Sequence, residues 1–223
     1  MTCPVCPAVT ASLCAPRGPL TIPAARRLDP DTALEFLRQR RSIRNFRDEL
    51  VPEEKIRQLL EAARFAPTAA NSQGMYYLVI QDRDLIKKIT DCVADWMQEQ
   101  IDNKSPQKRY FIKVLHVYRE RGIDIIGRNA RQLIFVLARR LNVTGPSNSE
   151  QSLAYAELYA PTLGLGTTIM GFIETCLRAD YTPLRELLQI PTKQVGVGCL
   201  LVGYPRYRYH KLVDRQHLKV EFR

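Results

Sequence analysis

Three stretches of the sequence place groups that do chemistry within reach of one another. Residues 40 to 46 read RRSIRNF and set Arg40, Arg41 and Arg44 around Ser42. Like charges this close repel. An anion held between guanidiniums and a hydroxyl by charge-assisted hydrogen bonds removes that cost, and phosphate suits the geometry. A solvated helix end is built from the same residues. A second stretch, APTAANSQGMYY, surrounds Thr68, Asn71, Ser72 and Gln73 with small residues that let a planar ligand approach the backbone. An ordinary helix-to-strand turn also draws on Pro, Asn, Ser and Gly. The third stretch is LGLGTTIMGF. Gly164 and Gly166 suit a helix cap and close backbone approach, and Gly171 suits close approach within a strand. These glycines follow a helix and precede a strand, the reverse of a dinucleotide-binding G-x-G-x-x-G turn.

Such groups need elements to hold them. DPDTALEFLRQR predicts a helix with Asp29 as N-cap and Pro30 first inside it. VPEEKIRQLLEAARFAP predicts another. Pro52 opens it, Glu53 and Glu54 suit the positive end of its dipole, and Ile56, Leu59, Leu60 and Ala63 share a face. It runs to Phe65 and is closed by Pro67. MYYLVIQD reads as a strand, DLIKKITDCVADWMQEQI and QKRYFIKVLHVYRERG as helices, and QLIFVLARR as a buried strand. SEQSLAYAELYAPTLGLG is a small-residue helix running into glycines. TTIMGF, GVGCLLVGYP and a terminal HLKVEF complete the set as strands. Helices interleaved with strands predict an α/β or α+β domain.

Six of the fourteen prolines fall in the first 30 residues, which prevents regular structure there and predicts an extended arm over 1–28 ahead of a domain at 29–223. That stretch has no basic residue before Arg17, unlike the charged start of a secretory signal. It also holds Cys3, Cys6 and Cys14 in CPVCPAVTASLC, which has too few ligands for a closed zinc site and the wrong spacing for a four-iron cluster. Cys92, Cys176 and Cys199 lie in apolar surroundings and read as core thiols. The set predicts a reducing, cytoplasmic setting. The net charge is +10, yet acids interrupt the basic residues and no nucleic-acid-binding motif occurs, so a basic surface that attracts small anions is expected instead of nucleic-acid binding. No apolar run reaches the roughly 18 to 20 residues of a membrane helix.

RRSIRNF, a helix opened by VPEEKI, AARFAPTAANSQ and an apolar strand, in that order, resemble the start of an FMN-dependent nitroreductase. LAYAELYAPTLGLGTTIMGF and GVGCLLVGYPRYRYHKLVDR resemble the second half of that family, so the resemblance spans about residues 31–223. It is closest to members with a ferredoxin domain ahead of the nitroreductase part, which would make the arm a degenerate remnant. The resemblance implies an α+β fold with a mostly antiparallel sheet flanked by helices, in an intertwined homodimer with FMN at two interface sites. Residue by residue, it places Arg40 and Ser42 at the FMN phosphate and ribityl chain, with Arg41 beside them. Arg44 falls on the ribityl and pyrimidine side. Pro67, Thr68, Asn71 and Gln73 match the segment the other subunit lays against the cofactor. Met170 and Gly171 match the stretch facing the ring near N5, and Arg215 a late arginine returning to the phosphate.

The implied activity is NAD(P)H-dependent reduction of nitroaromatic, quinone or related small acceptors by ping-pong turnover, with hydride chemistry at flavin N5 and no catalytic side-chain set. Other readings remain: reduction by a ferredoxin-like partner, action on enones or halogenated aromatics, a non-catalytic flavin-binding protein, or a basic nucleic-acid-binding protein without cofactor. The sequence departs from the family pattern at Gly74-Met75, where Pro-Trp is frequent, at Ala130-Arg131, where Ala-Pro is, and at Val213, where proline is common.

Overall fold

The computed structural model describes residues 28–223. The expectations for the proline-rich arm and its cysteines therefore lie outside the described residues. The chain divides after Leu34, and the main unit is Glu35–Arg223. Helix α1 (Pro30–Gln39) starts as its sequence predicts, with Asp29 Oδ1 accepting from the N–H groups of Thr32 at 3.0 Å and Asp31 at 3.1 Å.

Four strands, β1 (Tyr76–Ile80), β2 (Gln132–Arg139), β3 (Gly166–Ile169) and β4 (Gln194–Gly203), form one antiparallel sheet in the order β1-β2-β4-β3. Period-two alternation explains why β2 reads as a continuous apolar run. Leu133, Phe135 and Leu137 face a core shared with α3 (Arg83–Asp102), α4 (Lys108–Leu115), α6 (Gly171–Arg178) and α7 (Thr182–Leu187). Ile134, Val136 and Ala138 face the other core, against α2 (Glu53–Ala63) and α5 (Gly145–Tyr159). Both faces are covered, so neither set can be polar. The loop before α2 is fixed by fully buried Gln132, whose side chain accepts from the Val51 N–H at 3.0 Å and donates to the Val51 carbonyl at 2.8 Å.

Four expectations need correction. Gly171 is not in a strand: β3 ends at Ile169, Met170 caps the next helix, and Gly171 opens α6. The helix face of Ile173, Cys176 and Leu177 follows directly, so a short apolar run could not separate strand end from helix start. HLKVEF forms no strand within the chain; residues 206–223 have no ladder partner among the described residues, and Leu218 and Phe222 are almost fully exposed. The second helix stops at Ala63 rather than Phe65, with a turn before Pro67. Cys176 and Cys199 are core thiols, but Cys92 is only half-buried at the core's edge.

Candidate functional site

RRSIRNF is an extended strip pinned to the rim of the sheet. The Ile43 N–H donates to the Thr167 carbonyl at 2.8 Å, the Arg47 N–H to Tyr204 at 2.9 Å, and the Arg206 N–H to Asn45 at 2.9 Å. Ser42 bridges Thr167 and Phe46 bridges Pro205. Two apolar anchors, Ile43 and Phe46, sit buried against a pair of glycines that face each other across β3 and β4. A Cβ on Gly166 would lie 2.5 Å from Ile43 Cγ1, and one on Gly203 would lie 2.9 Å from Phe46 Cδ1. The anchors fix the strip, and Arg40, Arg41 and Arg44 project from what remains.

Arg40 Nη1 donates to Ser42 Oγ at 3.3 Å and stands 3.6 Å from Glu157 Oε1. Glu157 is 8% exposed, and its Oε1 has no hydrogen-bond partner among the described residues. Burial pushes the Glu157 carboxyl above its ordinary range, while the charges of Arg40 and Arg44 pull it back. Arg40 thus lies between Ser42 and one buried acid, on which the charge of Arg44 also acts. Arg41 turns elsewhere: it stacks 4.9 Å over the Tyr209 ring and donates to the Lys211 carbonyl. Arg215 lies exposed in the same C-terminal segment. A cleft of about 470 Å³ opens on the Arg41 side of the strip, lined by Arg41, Arg47, Glu157, Gly164 and Tyr204 among others but not by Arg40, Ser42 or Arg44.

The Pro67–Gln73 group is a tight turn. Ala70, Asn71 and Gln73 are in the left-handed region (φ 53°, 51° and 47°). Thr68 Oγ1 accepts from the Gln73 N–H at 3.1 Å, Gln73 Nε2 donates to Asn71 Oδ1 at 3.2 Å, and Asn148 Oδ1 accepts from the Ala69 N–H at 3.1 Å. Pro67, Asn71 and Gln73 are exposed, and neither this turn nor Met170 lines the cleft beside the arginine strip. Met170 is buried and caps α6 without a side-chain hydrogen bond, and a Cβ on Gly171 would meet open space. Gly164 has the left-handed geometry expected of a cap (φ 72°).

Sequence reasoning missed Glu157. It lies four residues after buried Leu153 on the apolar face of α5, so an acid at core spacing was its signal. Among the described residues no group of His, Cys, Asp and Glu could hold a metal ion, and no helix is long and apolar enough to cross a membrane.

Fold and site together define an α+β domain with a basic strip laid along one sheet edge and a glycine-opened helix at the other end of β3. The Nitroreductase family model matches residues 37–204, and the chain belongs to that family. It is similar to the FMN reductase (NAD(P)H) of Bacillus subtilis (strain 168), 27% identical over 178 residues, covering 80% of this chain and 68% of that one. Iodotyrosine deiodinase 1 of Mus musculus is 26% identical over 179 residues, covering 77% of this chain and 61% of its own length. The chain spans 30% to 68% of the length of the curated relatives just named and two archaeal ones. Among solved structures, the FMN-bound nitroreductase of Bacteroides fragilis NCTC 9343 superposes with a TM-score of 0.65 at 18% identity, over 85% of this chain and 98% of that one. The FMN-bound nitroreductase of Desulfitobacterium hafniense DCB-2 gives 0.66 at 18%, over 84% and 97%. At such identity the likeness speaks to the fold.

Proposed function

We propose that this protein is an FMN-dependent oxidoreductase that uses NAD(P)H to reduce nitroaromatic, quinone or related small acceptors, working as a homodimer. The observation that carries the reading is the anchored strip, on which Arg40 bonds to Ser42 and stands beside buried Glu157, with Arg44 on the same strip. The residues fit the cofactor. Guanidiniums and a hydroxyl suit a phosphate dianion, and the open approach to Gly171 suits the edge of a planar ring. When bound, FMN supplies hydride acceptance and delivery at its ring, so no acid–base triad is required.

The chain's own work is binding and orientation. Arg40 and Ser42 hold the phosphate, with Arg215 closing from the C-terminal segment and Arg41 steadying that segment through Tyr209. Arg44 provides positive charge on the pyrimidine side, and the N–H groups at the start of α6 face the ring edge. Pro67, Thr68, Asn71 and Gln73 complete the site of a second subunit, which accounts for the exposure of Pro67, Asn71 and Gln73 in one chain. A halogenated aromatic as acceptor is the second reading, favoured by the likeness to iodotyrosine deiodinases.

The test is the absorbance of the purified protein, chromatography of its heat-released cofactor, and anaerobic titration with NADH and NADPH. Yellow protein that yields FMN and bleaches with a pyridine nucleotide is the expected result. Recovery of FAD, or no flavin after reconstitution with excess FMN, would sink the reading.

A further inference from the structure

The cleft on the Arg41 side of the strip is a cavity separate from the groups that would hold FMN. Backbone ties join its two walls: Phe46 bridges Pro205, and the Arg47 N–H donates to the Tyr204 carbonyl at 2.9 Å. Leu165 and Gly166, buried where β3 starts, line it from beneath. It encloses about 470 Å³, whereas a cavity of ~150 Å³ already holds a benzene ring, so a ring with large substituents fits. Its chemistry changes with depth. The buried end has Glu157, 8% exposed, whose Oε1 has no hydrogen-bond partner among the described residues. Arg40, 3.6 Å away, is beyond hydrogen-bond distance. A buried acceptor left unmatched is costly, and a donor on a ligand would remove that cost. Arg47 and Arg208 line the cleft from exposed positions, and neither side chain has a hydrogen bond or ion pair among the described residues. Arg41, a third cation on the wall, is already engaged with Tyr209 and the Lys211 carbonyl.

We propose that this cleft binds a nucleoside monophosphate whose base carries an exocyclic amino group. The amino group donates to Glu157, the base packs against Tyr204 and Tyr207, and the phosphate pairs with Arg47 and Arg208. That orientation follows the burial. The ring with its donor goes toward the buried acid, and the dianion stays at the wet mouth, where a charge costs less to hold. Guanidiniums match phosphate oxygens as a fork, and tyrosine faces pack on flat rings. A simple aromatic acid would leave Glu157 Oε1 unmatched, and an uncharged nucleoside would leave both exposed guanidiniums so. The site is additional to the one proposed for FMN, because Arg40, Ser42 and Arg44 do not line the cleft.

The probes are adenosine monophosphate, inosine monophosphate, which has an oxygen in place of the amino group, and adenosine, which has no phosphate. Each is titrated calorimetrically into the full chain saturated with FMN while flavin absorbance is followed. Wild type should bind adenosine monophosphate about tenfold or more tighter than either of the others, as one charge-assisted bond implies. Arg47→Ala should bring adenosine monophosphate within about threefold of adenosine and leave the bound flavin as it is. Glu157→Gln, whose amide donates as well as accepts, should make the two monophosphates bind alike. The Arg47 variant decides alone if the Glu157 variant does not fold. Equal binding of adenosine monophosphate and adenosine by wild type would overturn the proposal. So would equal binding of the two monophosphates, which removes Glu157 from recognition, or no binding at all, the result expected if a second copy of the chain fills the cleft. Release of flavin by adenosine monophosphate would overturn it by making the cleft part of the cofactor site. A chain that takes up no FMN strikes the cofactor reading alone, and the same titrations on that chain still decide the proposal.

Discussion

Arg40 commits one edge of its guanidinium to its own chain, through Ser42 and Glu157, and leaves the other donors for a ligand. Arg40→Ala should weaken FMN binding by about tenfold to a hundredfold, since a charge-assisted bond is worth roughly 1.5–3 kcal/mol. Fluorescence titration of the apo protein measures it; unchanged affinity would make Arg40 an ordinary surface arginine. Glu157 carries a pH prediction. Its carboxyl pKa is raised in the folded state, so the folded protein binds more protons than the unfolded chain above the ordinary value near 4.5. Stability therefore falls as pH rises through that window, and Glu157→Gln should remove this fall. Denaturant midpoints of both proteins across the window give the comparison. The two residues differ in legibility. Three arginines around a serine are visible at the level of sequence as either an anion cradle or a solvated helix end, whereas Glu157 gains meaning only when α5 turns it beneath residues more than a hundred positions away.

At the scale of elements, Gly166 of β3 and Gly203 of β4 matter because they are recesses for Ile43 and Phe46. Gly166→Ala would drive a methyl into Ile43 and should cost about 1–3 kcal/mol, as overpacking does. It should also displace the arginine strip and weaken FMN binding. Adding Ile43→Ala should restore much of both, because the two side chains share one space. A double-mutant cycle that came out additive would remove the recess argument. The elements themselves were largely readable: both-face burial gives β2 its apolar run, and Asp29 and Pro30 mark the start of α1. The end of β3 was not, because the N–H of Met170 still bonds to Cys199 in β4 at 3.2 Å while the next residue begins a helix. A period-two pattern cannot register a strand that stops one residue before a helix starts.

At the scale of the molecule, the C-terminal segment is unfinished in a single chain. Leu218, Val220 and Phe222 are exposed and alternate with Lys219 and Glu221, a period-two apolar pattern with no ladder partner among the described residues. Pairing with a second copy would cover it, so dimerisation and FMN binding should be linked, each strengthening the other. Leu218→Asp with Phe222→Asp should shift the protein toward monomer at micromolar concentration and lower its FMN content. Sedimentation velocity with and without added FMN reads both effects. A variant that stayed dimeric, or a monomer that kept FMN tightly bound, would contradict the linkage.

The pinning of the arginine strip also orders events in the cell. Asn45 bonds to Arg206, and Ile43 to Thr167, so residues 43 and 45 await partners made more than a hundred residues later. At about 5–20 residues per second, the ribosome delivers those partners on the order of ten seconds later. Until then the strip has no edge to lie on and Arg40 no buried acid beside it. Cofactor loading through the strip should therefore wait for those partners, and FMN supplied during translation should gain nothing over FMN supplied after release.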